Sequence, residues 1–415
     1  MQNTDVIIVG GGQAGLVMSR SLSARGIDHI ILERGRVGER WHSERWDSMR
    51  LLTPSAYSAL PGVPHKGADA GAFLAAQEFA SYLGAYAQNI AAPVVEGVAV
   101  KSVETAGAGF RITTNAGVWQ SRAVVVATGA CDAPYRPTMA QRLSPAILQV
   151  APADYKRPSN LPDGGVLIVG ASSTGIQLAE DIHASGRPVT LAVGDHTRVP
   201  RRYRGRDIFA WMEFAGILGD RVDESRSLEA ARQQPSLQLV GRQHNRNLDL
   251  ASLSRDGVRL VGRLAAVEGT RVSFHGDLGL TTAQAHARML RVLNRIDASI
   301  ERIDLAASLA GDGVPKPFLA DCDPATLGLQ REGIRTIVWA TGYVRRYPWL
   351  KVPVLDTRGE IVHRRGVMAV PGLYALGLTF LRRRRSSFIS GCGLDAEELA
   401  PEIETHLNAQ SRRAA

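Results

Sequence analysis

The sequence contains 415 residues, a length that favours two or three domains. Hydrophobic residues make up 45% of it and charged residues 21%, ordinary globular values that argue against a disordered, collagenous or coiled-coil protein. The formal net charge is +9, and the basic residues are mostly arginine. No basic-aromatic recognition module accompanies them, so the composition argues against a nucleic-acid-binding protein.

The apolar runs and the cysteines exclude further classes of protein. The longest apolar runs, such as Ala123–Ala127, stop far short of the roughly 18 residues that a membrane span needs. Met1 leads almost directly into an apolar segment without a basic region or cleavage site, so we expect a cytoplasmic protein with no leader peptide and no membrane contact. Cys131, Cys322 and Cys392 form no CxxC pair, which argues against a disulfide scaffold, a metal site or a dithiol redox centre.

A dinucleotide fingerprint opens the chain. The apolar strand Val6–Val9 leads into a GxGxxG motif and a helix, and the next strand ends in an acid eighteen residues beyond the motif. The first glycine permits a tight turn, the second lets a pyrophosphate approach the backbone, the third lets the helix pack on the strand, and the acid binds ribose hydroxyls. The predicted cofactor residues of this motif are Gly10, Gly12, Gln13, Ala14, Gly15 and Glu33.

A second copy of the motif follows strand 165–169, with serine in place of the middle glycine. The predicted cofactor residues of this loop are Gly170, Ser172, Ser173, Thr174 and Gly175. Val193 and Gly194 occupy the end of the next strand, where an acid would bind ribose, and Arg198, Arg201 and Arg202 follow. This pattern favours the 2′-phosphate of NADPH, although the nearby Asp195 leaves NADH open.

Two apolar strands end in Ala-Thr-Gly, which is typical of buried parallel strands whose ends lie close to a cofactor or a crossing chain. Their ends add six predicted cofactor residues, namely Ala127, Thr128, Gly129, Ala340, Thr341 and Gly342. The pattern also predicts helices over 72–89, 208–218 and 281–309, and a last strand over 371–377. The predicted fold is therefore α/β with two Rossmann-like domains, in which a second domain (159–332) is inserted into a first domain (1–158 and 333–415).

Four consecutive arginines, Arg382 to Arg385, follow the last predicted strand. One interpretation is a functional cluster that selects an anionic substrate or steers NADPH. The alternative is an exposed loop or a contact with another subunit, since four consecutive arginines cannot all point one way.

Together these motifs resemble the flavin-containing monooxygenase superfamily over nearly the whole chain. The resemblance also rests on four further stretches: 38–41, 46–54, 372–377 and the Arg385–Ile389 block. It implies FAD in the first domain and NADPH in the second. NADPH would reduce the flavin, and a C4a-(hydro)peroxyflavin formed with molecular oxygen would insert one oxygen atom into a small organic substrate.

The resemblance also implies individual roles. Trp41 and Thr53 would lie near the isoalloxazine as the catalytic residues, and the backbone of Val100 would meet the adenine. The remaining implied cofactor contacts are Arg40 and Gly377. One departure is Ala151, which stands where the monooxygenase fingerprint has histidine, although Tyr155 matches.

Three functions therefore stay open: an NADPH-dependent monooxygenase, a flavin reductase or oxidase without oxygen transfer, and a non-catalytic flavin-binding redox sensor. A disulfide reductase is disfavoured because the cysteine pair is absent. The sequence names neither the substrate nor the oligomeric state, and a homodimer is compatible with it.

Overall fold

The computed structural model describes residues 2–64, 69–224, 227–232, 234–242, 246–303, 313–318 and 325–414. The described strands are β1 (Gln2–Val9), β2 (His29–Leu32), β3 (Val94–Val95), β4 (Val100–Ala106), β5 (Gly109–Thr114), β6 (Gly117–Val126), β7 (Ala133–Pro134), β8 (Leu148–Val150), β9 (Gly165–Val169), β10 (Val189–Ala192), β11 (Thr197–Arg198), β12 (Arg202–Tyr203), β13 (Arg206–Asp207), β14 (Leu237–Gln238), β15 (Arg259–Val261), β16 (Leu264–Glu268), β17 (Arg271–Phe274), β18 (Thr326–Gly328), β19 (Ile334–Trp339), β20 (Tyr343–Val344), β21 (His363–Arg364), β22 (Val367–Met368) and β23 (Leu373–Ala375). The described α-helices are α1 (Gln13–Ser23), α2 (Glu39–Ser43), α3 (Ala76–Asn89), α4 (Ser173–Ala184), α5 (Ile208–Phe214), α6 (Leu228–Arg232), α7 (Leu250–Arg255), α8 (Leu278–Glu301) and α9 (Ile389–Ala414).

The first sheet has the order β21-β22-β23-β6-β1-β2-β3, and the antiparallel strands β4 and β5 extend from β6. Strand β1 is parallel to both neighbours, with Val6 opposite His29 of β2 and Ala123 of β6. Residues 6–9 and 123–126 are almost fully buried, as expected for parallel strands that are covered on both faces. The carboxyl ends of β1 and β6 therefore meet beside the first glycine loop.

The second sheet has the order β15-β10-β9-β19-β8, and all of its pairs are parallel. Its strands come from a stretch of chain that lies between β6 and β23 of the first sheet, so the predicted α/β fold with one Rossmann-like unit inserted into another is confirmed.

The two predicted boundaries need correction. Strand β8 precedes residue 159 and β19 follows residue 332, yet both pair within the second sheet. The sequence assigned 334–339 to the first domain because a buried parallel strand ending in Ala-Thr-Gly suits either sheet equally well. Hydrophobic pattern identifies such a strand but not its neighbours.

Three helices differ in extent from their predictions. Helix α3 starts at Ala76 rather than at residue 72, and the Glu78 carboxylate accepts a hydrogen bond from the Ala75 backbone N–H at 2.6 Å, which fixes this start. Helix α5 ends at Phe214, and Gly216 then adopts a left-handed φ of +69°. Helix α8 runs from Leu278 to Glu301, while residues 304–309 of its predicted extent lie outside the described residues.

Within the residues that the structure describes, no helix combines the length and the apolar character that crossing a membrane requires. Cys131 and Cys392 are free thiols, and Cys322 lies outside the described residues.

Candidate functional site

The three glycines of the first loop are needed for different reasons. Gly10 has a φ of +112°, and an added Cβ would lie 2.8 Å from the Ala127 carbonyl oxygen. At Gly15 an added Cβ would collide with the Gly10 carbonyl oxygen. At Gly12, whose φ is −85°, it would meet nothing within 4 Å, so packing places no constraint on this position. In the dinucleotide fingerprint this glycine is the one that lets a pyrophosphate approach the backbone.

The Glu33 carboxylate lies at the end of β2, directly beside this loop. One of its oxygens accepts a hydrogen bond from the Gly11 N–H at 2.6 Å, and the other accepts one from the Gly35 N–H at 2.8 Å. Its side chain is therefore fixed in orientation. A carboxylate has further acceptor positions for ribose hydroxyls.

A cavity of about 730 Å³ opens on this loop, which is within the usual size of a cofactor site. Most of the residues predicted to hold the first cofactor line it. They are Gly10, Gly12, Gln13, Ala14, Glu33, Arg40, Trp41, Val100, Ala127, Thr128, Gly129 and Gly377. Residues scattered over about 370 positions of the chain thus line one cavity, and their role in binding a cofactor stays a prediction.

Another part of the cavity wall comes from residues that the sequence motifs do not assign to the first cofactor. Part of this wall comes from the inserted second domain, and part comes from residues 379–388, which precede α9. Its residues are Met212, Ala231, Arg232, Gln234, Pro235, Ser236, Leu237, Thr379, Phe380, Arg384, Ser387 and Phe388. The sequence signals near this wall are the arginine run 382–385 and the 385–389 block, whereas 231–237 carries no motif.

Trp41 and Thr53, the two predicted catalytic residues, have different surroundings. Trp41 lines the cavity, and its ring packs edge-on against Phe79 at 4.8 Å and lies under the Arg45 guanidinium at 4.9 Å. Thr53 does not line the cavity, and its hydroxyl hydrogen-bonds Ser58 Oγ at 2.6 Å. Trp41 therefore lies at the cavity, whereas Thr53 is not among the residues that line it, and both catalytic roles stay predictions.

Arg40 is committed to the protein although it lines the cavity. Its guanidinium donates to the carbonyl oxygens of Cys131 and Asp132 and forms an ion pair with the Asp132 carboxylate. Arg40 therefore fixes the loop that follows the first Ala-Thr-Gly.

The second glycine loop repeats the conformation of the first. Gly170 has a φ of +107°, and an added Cβ would collide with the Ala340 carbonyl oxygen at the end of β19. At Gly175 an added Cβ would collide with Gly170. Ser172 is extended with a φ of −75°, close to that of Gly12, so serine is accommodated there without strain. Ser173 and Thr174 form the first turn of α4 behind it. Thr341 and Gly342 continue from Ala340, and the Thr341 hydroxyl donates to the Tyr135 carbonyl oxygen.

The three arginines predicted to bind a 2′-phosphate are placed differently. Arg198 pairs with Asp249 at 2.9 Å and is 11% exposed. Arg201 is 1% exposed, and its guanidinium pairs with Asp207 at 2.7 Å. Arg202 is exposed. The burial of Arg201 disagrees with its predicted coenzyme role, because a phosphate cannot reach a guanidinium enclosed in this way.

The arginine run is an ion-pair network rather than an open anion site. Its partners are Glu398 and Glu402 for Arg382, Asp395 and Glu398 for Arg383, Asp220 for Arg384, and Glu213 for Arg385. Asp220 and Glu213 belong to the second-domain insertion, so the network joins α9 to that insertion. Of the four, Arg384 also lines the cavity.

The segment around Ala151 and Tyr155, where the monooxygenase fingerprint would fall, contacts helix α4 of the second domain through Asp181. Ala151, at the position where the resemblance implies a histidine, is buried at 2% exposure. Tyr155 donates to an Asp181 carboxylate oxygen at 2.6 Å, and Ser48 donates to the other oxygen at 2.6 Å. Burial, followed by the Asp181 hydrogen bond, raises the pKa of Tyr155, so this phenol stays protonated as a donor.

A pH-sensitive contact lies at the cavity wall. Arg232 Nη2 lies 3.1 Å from Nε2 of the His363 imidazole, and the Gly366 N–H donates to Nδ1 of the same ring at 3.2 Å. Burial, with the charges of Arg232 and Arg345, lowers the pKa of His363 to about 4. Since an unfolded histidine titrates near 6.5, the unfolded chain binds this proton first as the pH falls.

We therefore expect stability to decrease between pH 6.5 and 4, with a slope from this group of up to about 1.4 kcal/mol per pH unit. Urea unfolding at several pH values measures the effect, and comparison with His363→Gln isolates it from the carboxylates. Identical slopes for the parent and the variant would contradict the assignment.

These features define a class of oxidoreductase with two dinucleotide-binding domains, and comparisons with known proteins agree. A family model described as pyridine nucleotide-disulphide oxidoreductase matches residues 7–207. The flavin-containing monooxygenase from Stenotrophomonas maltophilia has the same fold, with a TM-score of 0.69 and 20% identity over 98% of this chain and 99% of that one. The indole-3-pyruvate monooxygenase YUCCA1 of Oryza sativa subsp. japonica is 24% identical over 98% of this chain and 93% of its own length.

A further relative identifies the family. The CzcO-like oxidoreductase of Geobacillus kaustophilus is 32% identical over 97% of this chain and 99% of its own length. The protein belongs to the CzcO-like oxidoreductase family, and the relatives and structures that it resembles include flavin-dependent monooxygenases. The resemblance inferred from the motifs is thereby confirmed.

Proposed function

We propose that this protein is an FAD-dependent, NADPH-using monooxygenase that transfers one atom of molecular oxygen to a small organic substrate. The observation that carries the proposal is the composition of the cavity wall. The first glycine loop and side chains of the second-domain insertion, such as Met212 and Leu237, line the same cavity. A flavin bound by the first loop would therefore face the domain that carries the second loop.

The residues of the cavity fit FAD. The open side of Gly12 leaves room for the pyrophosphate, and the start of α1 offers backbone N–H groups to it. Two backbone hydrogen bonds fix Glu33 beside this loop, where its carboxylate would accept from the ribose hydroxyls. When bound, FAD would accept a hydride from NADPH and activate oxygen.

The chain's own part in this chemistry is to bind, orient and exclude water. Apolar side chains supply much of the wall, among them Trp41, Phe380 and Phe388. Phe380 is held at a φ of +50° although it is not glycine, an uncommon conformation that the surrounding packing must enforce. A dry wall of this kind would protect a reactive oxygen species from water.

One observation favours a second candidate, an NAD(P)H-dependent flavin reductase or oxidase that transfers no oxygen. Ala151 is buried and has no group that could donate or accept a proton, whereas the monooxygenase fingerprint has histidine at this position. The absence of that imidazole would weaken control over how the reduced flavin reacts with oxygen.

The test uses the purified holoprotein. Denaturation and chromatography identify the flavin, and anaerobic mixing with NADPH measures its reduction. Oxygen uptake, NADPH consumption and peroxide are then followed together with ketones, amines, sulfides and 2-oxo acids. We expect one product per NADPH with little peroxide for an accepted substrate.

Other results would replace the proposal. Peroxide equal to NADPH consumption with every compound would identify the reductase or oxidase. Flavin reduction too slow for turnover would identify a redox sensor.

A further inference from the structure

A charged pair lies beside the second glycine loop. Strand β10 is parallel to β9, and the Gly170 N–H donates to the Ala192 carbonyl oxygen at 2.9 Å. The residues that follow Ala192 therefore leave the sheet next to this loop. Asp195 is among them, and it comes twenty residues after Gly175. In Rossmann domains an acid near this spacing binds the adenosine ribose, and a nearby arginine accommodates a 2′-phosphate.

The arginine at this position comes from a distant part of the chain. Arg288, on α8, donates through Nη1 to an Asp195 carboxylate oxygen at 2.5 Å and to the His196 carbonyl oxygen at 2.8 Å. The Arg288 side chain is 29% exposed and that of Asp195 is 55% exposed. Solvent, and hence a coenzyme, reaches both groups.

The other charged or titratable groups nearby are less suited to this role. Arg198 is paired with Asp249, and Arg201 is enclosed. His196 is 1% exposed, and burial lowers its pKa, so its imidazole stays neutral. Among these described groups, Asp195 and Arg288 form an accessible pair of opposite charge.

We propose that Asp195 and Arg288 together select the nicotinamide coenzyme, Asp195 by accepting the 2′-hydroxyl of NADH and Arg288 by binding the 2′-phosphate of NADPH. This inference rests on the proposed use of a nicotinamide coenzyme. A guanidinium has five N–H donors, and the described contacts of Arg288 use only Nη1. Arg288 can therefore keep Asp195 on one edge and bind a phosphate with another.

The presence of both charges has a specific consequence. Asp195 repels a 2′-phosphate and Arg288 attracts it, whereas NADH loses nothing from either group. The protein should therefore accept both coenzymes, and removing one charge should shift the preference toward the coenzyme that the other charge serves.

The experiment compares Arg288→Gln and Asp195→Asn in the holoprotein. Anaerobic flavin reduction gives the apparent Kd for NADPH and NADH, and calorimetry with 2′,5′-ADP and 5′-AMP measures binding without any turnover. Arg288→Gln should weaken NADPH and 2′,5′-ADP about tenfold and leave NADH and 5′-AMP within about twofold. Asp195→Asn should weaken NADH several-fold and leave NADPH unchanged or tighter.

Arg291→Gln is the matched control, because Arg291 is an exposed arginine on the same helix and its loss changes the net charge equally. Arg291→Gln should leave the apparent Kd for both NADPH and NADH unchanged. Equal losses for both coenzymes in Arg288→Gln, or a NADPH-specific loss in Arg202→Gln instead, would overturn the inference. If the parent binds neither fragment and neither coenzyme reduces its flavin, the proposed function fails as well. If the parent is reduced but Arg288→Gln is silent, only the coenzyme inference fails.

Discussion

Gly12→Val should yield a folded protein that carries almost no flavin. Gly12 has a negative φ that valine can adopt, and no protein atom lies within 4 Å of an added Cβ. The branched side chain would instead project into the cavity that Gly12 lines. We expect flavin affinity to fall at least about 100-fold, or about 2.8 kcal/mol. Flavin absorbance per protein, with far-UV circular dichroism for folding, measures both parts of the result.

Two glycines make this test specific. Gly84→Ala, in the middle of α3 with open space around it, should change neither flavin content nor fold. Gly10→Ala should impair folding itself, since Gly10 has a positive φ and little room. A Gly12→Val protein that retains full flavin would show that the first loop does not approach the cofactor.

Local signals sufficed for the two glycine loops. The fingerprint assigns a tight turn to Gly10, the open approach to Gly12 and the close helix-strand packing to Gly15. The spacing of the motif alone is therefore enough to predict these three roles. Glu33 was predictable for the same reason, because the end of a strand beside that loop is fixed by the fold. These constraints act over a few residues and are therefore visible in the sequence.

The surroundings of other charged residues are set by tertiary packing, which the sequence does not show. Arg201 and Arg202 are adjacent residues of the same type, yet Arg201 is enclosed, with its guanidinium bonded to Asp207 and to the Leu52 carbonyl oxygen, and Arg202 is exposed. Arg288 lies on a helix whose start is more than eighty residues from Asp195. The pairing of distant residues is set by tertiary packing, which hydrophobic period and charge spacing do not encode.

Arg201→Met should be among the most destabilising substitutions in the second-domain insertion. The Arg201 guanidinium pairs with Asp207 and donates to the Leu52 carbonyl oxygen at 2.7 Å. It also lies over the rings of Phe73 at 5.1 Å and Phe209 at 5.5 Å. Methionine can replace the packing but leaves the Asp207 charge and the Leu52 carbonyl without this partner. Breaking a buried pair from one side costs about 3–5 kcal/mol.

Urea unfolding followed by tryptophan fluorescence measures this loss of stability. Trp211 reports on the same region, because its indole N–H donates to the Tyr203 carbonyl oxygen at 2.5 Å. Arg202→Met is the matched control, since Arg202 is exposed and its replacement should change stability by no more than about 0.5 kcal/mol. Because Arg201 holds the backbone of the Trp46–Pro54 segment through Leu52, its loss should also loosen the contact between the two domains. Equal stabilities for the two variants would show that the enclosed ion pair contributes nothing to the free energy of unfolding. A lower NADPH affinity in Arg201→Met at unchanged stability would instead support the predicted role of Arg201 in coenzyme binding.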